Sequence, residues 1–257
     1  MRKIWITGAS SGIGRQLAYD LAKQGDIPVM LARNEQKLSQ IVQEIKEAGG
    51  QAHAYSIDLL KTSQLDSAIH ELHERIGQID VLINNAGFAV FEYADKIAFR
   101  DVQDMFTVNV LALMKLTQTV VPIMLEQKKG HIINVASQAG KLATPKSSAY
   151  TATKHAVLGY TNSLRLELEN TSLKVSAVNP GPIRTPFFER ADESGTYARR
   201  VDKFMLEPDY VSARMINLIN APKRELNLPR WMNVAAKLYQ LMPSVVEKLA
   251  HSQFRKK

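Results

Sequence analysis

The first 24 residues constrain this chain more than any later stretch. Lys3–Gly8 is a short apolar run that passes directly into GASSGIG and then into the helical run RQLAYDLAKQG. Gly8, Gly12 and Gly14 therefore fall where a strand must turn tightly into a helix. The first backbone N–H groups of that helix, around Ser10, Ser11 and Ile13, are set to face an anion such as a pyrophosphate. The spacing is G-x3-G-x-G, and its place between strand and helix gives it weight that a lone glycine cluster would lack.

The alternation of strand and helix continues. Ile27–Ala32 reads as a second strand, ending in Ala32-Arg33-Asn34. An acid at this place would hold the 2′-hydroxyl of an adenosine ribose. Arg33 instead offers a fork for a 2′-phosphate, so the expected cofactor is NADP(H). Glu35–Ala48 reads as an amphipathic helix closed by Gly49-Gly50, and Ala52–Ile57 as a strand followed by Asp58 and Leu59. Asp58 is placed either to accept from an adenine amino group or to cap a helix beginning at Thr62 or Ser63. Asp80–Ile83 is the fourth strand. Asn84, Asn85, Ala86 and Gly87 follow it, small residues that let backbone approach a ligand at the crevice. A helix spanning 98–125 carries Asn109 in its middle, where a buried amide needs polar partners; a water chain leading to Lys154 is one.

The chemistry converges on residues 131–154. His131–Ala136 reads as a buried strand ending at Ser137, 138–148 as a loop, and the residues from Ser148 as a helix. On that helix Tyr150 and Lys154 are four residues apart and share a face. A fixed ammonium favours phenolate and so would pull the phenol toward working pH, ready to exchange a proton with a carbonyl or alcohol oxygen. Ser137 would hydrogen-bond the same oxygen. Tyr19 and Lys23 repeat the spacing in the first helix, where they read as an ordinary amphipathic face. A strand over 174–178 then leads into Asn179-Pro180-Gly181-Pro182-Ile183-Arg184-Thr185-Pro186. In that rigid loop Ile183 and Thr185 would reach the nicotinamide amide or the phosphates. Residues 187–206 lack periodicity and read as a substrate lid.

Composition narrows the class. The 257 residues, 45% hydrophobic, suffice for one large α/β core, so 1–257 is expected to form a single domain. There are no cysteines, which excludes disulfides, thiolate zinc and thiol catalysis. His70 and His73 do not have zinc-protease spacing. No basic-then-apolar leader opens the chain, and Asn109, Lys115 and Gln118 interrupt its longest greasy run, so a cytoplasmic location is expected. The net charge of +8 is uneven: residues 199–257 hold 12 Lys/Arg against 5 Asp/Glu, while the first 198 are nearly balanced. No nucleic-acid motif accompanies this charge, and no nucleic-acid partner is expected.

Taken together, Thr7-Gly8-x3-Gly12-x-Gly14, Asp58, Asn84-Asn85-Ala86-Gly87, Asn109, Ser137, Tyr150-x3-Lys154 and Pro180-Gly181 resemble the short-chain dehydrogenase/reductase family, over about residues 3–226. The resemblance implies a doubly wound, Rossmann-like three-layer αβα sandwich with about seven parallel strands. It implies an Asn109-Ser137-Tyr150-Lys154 tetrad and hydride transfer between a nicotinamide and a carbonyl or secondary alcohol. It also implies that Lys154 holds the nicotinamide ribose and Asn109 a relay water, in a homodimer or homotetramer. Without a C-terminal Asp-Gly-Gly segment, the chain is nearer to the hydroxysteroid, retinoid and dihydrosphingosine reductases, which take apolar substrates. A non-catalytic NADP(H)-sensing scaffold and a peripheral membrane lipid reductase are the alternatives.

Beyond Pro229, Trp231, Val234, Ala235, Leu238, Leu241 and Met242 fall on one helical stripe, and Ser244-x-x-Glu247 reads as a capping box opening a second helix. Such a stripe is more often core or subunit interface. Beside the basic end Arg255-Lys256-Lys257, it would also suit an anionic membrane surface or a cover over the active site.

Overall fold

The computed structural model describes residues 1–192 and 194–254. Its centre is a seven-stranded parallel sheet in the order β3-β2-β1-β4-β5-β6-β7. The strands are β1 (Lys3–Thr7), β2 (Ile27–Ala32), β3 (His53–Ser56), β4 (Val81–Asn84), β5 (Gly130–Val135), β6 (Leu173–Pro180) and β7 (Glu225–Leu228). Every residue of β2 and β4 is buried, as expected where helices cover both faces of a parallel sheet. The chain winds outward from β1 to β3 and then restarts at β4 on the other side of β1. The C-terminal ends of β1 and β4 therefore flank the point where the winding reverses, the place at which such sheets open a crevice.

One helical layer comprises α1 (Gly12–Lys23), α2 (Glu35–Glu47) and α9 (Pro208–Asn220), packed through Leu17, Leu21, Leu38, Ile41, Met215 and Ile219. The other comprises α3 (Leu65–Ile76), α5 (Ala112–Glu126) and α6 (Ser148–Glu167), packed through Leu65, Ile69, Leu116, Val120 and Leu164. A buried polar ladder ties this second layer to the sheet. Asn84 donates to Thr117 on α5 (3.0 Å) and to Asn134 on β5 (2.9 Å), and Asn134 donates to Thr161 on α6 (2.9 Å). The ladder fixes α6, which carries the Tyr150–Lys154 pair, against the two central strands.

The single helix expected over 98–125 is broken into α4 (Phe99–Phe106), a π-turn (Thr107–Leu111) and α5. The expected strand over 174–178 runs on to Pro180 because Asn179 and Pro180 pair with Asn227 and Leu228 of β7. Helix α9 and strand β7 are elements that the sequence pattern alone does not mark. The irregular segment 187–206 contains α7 (Phe187–Ala191) and α8 (Thr196–Val201), followed by a 3-10 turn (Asp202–Phe204). It is pinned at both ends. Phe91 N donates to Ala191 O (2.8 Å), and an isolated bridge joins Ile183 to Leu206.

At the end of the chain lie α10 (Arg230–Leu241) and α11 (Pro243–Phe254). The expected capping box is not formed: the helix starts at Pro243, which puts Ser244 inside the first turn, and Glu247 accepts from the Tyr239 hydroxyl (2.9 Å). The stripe of α10 is not core either. Trp231, Val234, Leu238, Leu241 and Met242 are exposed, and Ala236 is the buried residue of that helix. Arg255, Lys256 and Lys257 lie outside the described residues.

Candidate active site

The glycine loop after β1 is shaped by close approach. Gly8 has a φ of +68°, and a Cβ there would sit 2.8 Å from the Cα of Ala86. A Cβ on Gly14 would meet the carbonyl oxygen of Gly8 at 2.7 Å and the Asn85 amide at 2.8 Å. Thr7 locks the second loop onto the first: its hydroxyl accepts from the N–H groups of Asn85 (3.0 Å) and Ala86 (2.9 Å), and Asn85 Nδ2 donates to Thr7 O (2.9 Å). Ser11 caps α1 in an extended conformation without a side-chain capping bond, and no acid occupies the first turn. The helix start thus keeps its N–H groups and positive end toward the crevice, as an anion requires.

A cleft of about 580 Å³ runs along the C-terminal ends of the strands. Of the residues expected from sequence, Gly8, Ser10, Ser11, Gly12, Ile13, Arg33, Asp58, Leu59, Asn85, Ala86, Gly87, Ser137, Tyr150, Lys154, Pro180, Gly181, Ile183 and Thr185 line it. Gly14 and Asn109 do not. Gly14 backs the glycine loop, and Asn109 stands behind the Gly87-Phe88 turn. Arg33 is exposed at the adenosine end and has no ion pair among the described residues. Asp58 Oδ1 accepts from Leu60 N (3.1 Å), so it closes a local turn. Lys61, rather than Asp58, precedes the 3-10 turn at Thr62.

At the other end Tyr150, Lys154, Ser137 and Asn109 come together. Lys154 Nζ donates to Val135 O (2.9 Å) and lies 5.8 Å from the centroid of the Tyr150 ring. Burial pushes this ammonium down to about 8. Burial also pushes the Tyr150 phenol up from its ordinary value, opposed by its hydrogen bond with Ser137. The lowering expected from Lys154 is not seen: burial sets the phenol, and the side chain that opposes it is Ser137 rather than Lys154. Tyr150 is therefore a protonated donor at neutral pH. Ser137 Oγ accepts from Ala139 N (3.1 Å), which holds it at the end of β5.

Asn109 is 1% exposed and nearly saturated. Its Nδ2 donates to Phe88 O (2.9 Å) and Thr153 Oγ1 (3.1 Å), and its Oδ1 accepts from Phe88 N (3.0 Å). One lone pair of Oδ1 remains, on the side of Gly87. A Cβ added to Gly87 would lie 3.1 Å from that oxygen and 3.4 Å from Lys154 Nζ. Asn109 thus reaches this position from the π-turn and staples the turn that follows β4.

A family model described as short chain dehydrogenase matches residues 2–195. The chain belongs to this family. A ketoacyl reductase, HetN, of a Nostoc species is 37% identical over 180 residues, which is 70% of this chain and 63% of that protein. An uncharacterised oxidoreductase of Staphylococcus epidermidis is 32% identical over 220 residues, 83% of this chain and 94% of its own. Among solved structures, a short-chain dehydrogenase from Sphingobium yanoikuyae in complex with NADPH superposes with a TM-score of 0.82. It is 28% identical and covers 95% of this chain and 96% of that one. This short-chain dehydrogenase is accordingly an oxidoreductase acting on CH–OH groups with a nicotinamide cofactor. The cradle around Gly8 and Gly14, the acid-free start of α1 and the buried Lys154 fit such a dinucleotide.

Several residues of the dehydrogenase site carry no motif. Phe91 and Phe187 flank the Tyr150 ring at centroid distances of 6.0 and 5.8 Å, and Tyr197 packs on Phe91 at 5.1 Å. Arg190 lies 3.6 Å over the Phe88 ring, and Trp231 and Met232 of α10 close the far side of the cleft. Thr153 could have been found only from its register with Tyr150, since nothing in its sequence context marks it as the partner of Asn109. The control pair behaves differently: Tyr19 is bound to Glu44 and accepts from Arg15 (3.3 Å), an outer-surface network away from the crevice. His73 caps the end of α3 through Gly77 O (2.8 Å), and among the described residues no cluster of metal-ligating side chains occurs.

Proposed function

We propose that this protein is an NADPH-dependent reductase of a ketone or aldehyde carried on an apolar small molecule. The observation that carries the reading is the Tyr150 phenol at the foot of an aromatic-walled cleft, which Ser137 also lines, with its ring beside the buried Lys154 ammonium. NADPH, when bound, supplies the hydride that reaches the carbonyl carbon. Ser137 Oγ orients the substrate oxygen, and Tyr150 gives that oxygen its proton. The raised phenol stays protonated at neutral pH, which is the form that a developing alkoxide oxygen needs as its proton source. Lys154 holds the nicotinamide ribose and, with a water at the free lone pair of Asn109 Oδ1, returns a proton to Tyr150. Arg33 is placed for a 2′-phosphate, and the NADPH seen in the Sphingobium relative supports the same choice. Phe91, Phe187, Phe188 and Tyr197 favour an apolar substrate body, and the ketoacyl reductase relative is compatible with a keto group on such a body.

The test is a thermal-shift comparison of NADPH with NADH, followed by a panel of apolar ketones and aldehydes read at the nicotinamide absorbance. Tyr150→Phe should lose about 10²–10⁴-fold in turnover while keeping its NADPH shift. Unchanged turnover in that variant would reject Tyr150 as the acid.

A further inference from the structure

Helix α10 is docked on one side only. Met232 packs with its sulfur over Gly181, Asn233 Oδ1 accepts from Lys141 Nζ (3.3 Å), and Ala236 is buried. The opposite side carries Trp231, Val234, Leu238 and Leu241, continued by Met242 and Val245 into the start of α11. All six are exposed, Leu241 by 78%. At about 100° per residue the α10 members occupy an arc of only about 100°, with Arg230 and Lys237 along one edge. The helix contains no acid at all. Glu247 nearby is bound by Tyr239, and Asp202 is paired with Arg184 at 2.6 Å. The stripe also continues into the cleft. Trp231 lies edge-on to the exposed Phe204 at 6.2 Å, and both rings line the mouth of the cavity that holds Tyr150.

We propose that this face is a docking surface for an anionic lipid bilayer, with α10 lying in the interface and the cleft mouth opening onto the membrane. An apolar stripe edged by cations on an acid-free helix is the pattern that immerses to headgroup depth, and anionic lipid adds attraction for each nearby cation. The surrounding charge selects this occupant over a second copy of the chain. Arg230 and Lys237 edge the stripe, Lys248 is exposed on the next helix and α10 carries no acid, so two such faces brought together about a two-fold axis would set like charges against each other. A bilayer of anionic headgroups has the complementary charge. Delivery of an apolar substrate from the bilayer to Tyr150 rests on the reductase reading above. The docking surface does not, and its test uses no substrate.

The full chain is mixed with vesicles of phosphatidylcholine alone, or of equal parts phosphatidylcholine and phosphatidylglycerol, and sedimented. Tryptophan emission is read in parallel. The chain has two tryptophans; Trp5 is fully buried and Trp231 is 56% exposed, so a blue shift on vesicle addition reports Trp231 entering an apolar phase. The wild type should partition about tenfold or more in favour of the anionic vesicles, with the blue shift. Arg230→Glu with Lys237→Glu should abolish that preference. Leu238→Glu with Leu241→Glu should lower binding about tenfold or more, with NADPH thermal shift and melting temperature as controls for folding. If that pair fails to fold, Leu238→Ser with Leu241→Ser replaces it. Wild-type protein that stays in the supernatant with both vesicle types overturns the proposal. So does a folded stripe variant that sediments as well as wild type. Light scattering that shows the stripe variant at half the wild-type mass, with neither binding vesicles, would assign the face to a second copy instead.

Discussion

Replacing Asn109 with Leu tests whether the crevice depends on a staple behind it. The substitution keeps the side-chain volume close to constant, so little cavity term arises. It removes three hydrogen bonds at a site only 1% exposed. The Phe88 N–H and C=O would be left facing an apolar group, while Thr153 keeps its bond to Tyr150 O (2.7 Å). Two newly unsatisfied backbone groups at about 1–3 kcal/mol each give a loss of roughly 3–4 kcal/mol, allowing for partial access of water to Phe88. For a chain of this size that corresponds to a fall of about 6–16 °C in melting temperature. Differential scanning calorimetry and urea titration should agree on it, and NADPH affinity should fall too, because Gly87-Phe88 is the turn that the staple holds. A variant that melts within about 2 °C of wild type yet loses turnover would refute this account, and would place Asn109 in the proton relay alone.

Burial lowers the Lys154 ammonium to about 8, and the proposed mechanism needs it charged, so activity should decline as pH rises through about 8, with Lys154→Met abolishing that limb of the kcat/KM profile. His131 is buried, with Nε2 on Ser176 Oγ (2.8 Å); since Ser176 donates to Lys223 O (2.5 Å), the imidazole is the donor, and Nδ1 has no partner among the described residues. Burial holds its folded-state value at about 4, below the ordinary 6.5. The unfolded chain therefore binds the extra proton first, and stability should be lost as pH falls from 6.5 to about 4, by about 3 kcal/mol at most. Urea midpoints across that range should show the fall in wild type and lose it in His131→Leu. Arg33→Asp should weaken NADPH binding by about 30-fold or more and spare NADH, measured by fluorescence titration; equal weakening of both would remove Arg33 from the 2′-phosphate.

The strands and the crevice were readable because their signals are local. β2 was bounded to the residue by its six-residue apolar run, and the glycine loop by a spacing that strand and helix enforce. The Tyr150–Lys154 pair followed from helical periodicity, but its electrostatics did not, because the burial of the phenol depends on Phe91, in a loop 59 residues before it, and on Phe187, at the start of α7 37 residues after it. Asn109 showed the same division. That it needed polar partners was evident from an amide inside a helix; that they would be Phe88 and Thr153 depended on a π-turn, which leaves no compositional mark. β7 leaves no such signal because its four residues, Glu225–Leu228, three half-buried and Leu228 buried, alternate polar and apolar too briefly to register. The fate of the α10 stripe was undecidable by pattern, since periodicity gives the face of a helix but not what covers it.

The π-turn at Thr107–Leu111 works as a phase shifter. One surplus residue in a turn rotates everything downstream by about 100° relative to a continuous α-helix. Met105 can therefore point into the cluster around Tyr150 while Leu116 and Val120, farther along, seat in the core between the sheet and α3. Deleting any one residue between 107 and 111 would straighten the helix and put these two sets of anchors out of step. This five-residue span should consequently tolerate a change of length poorly.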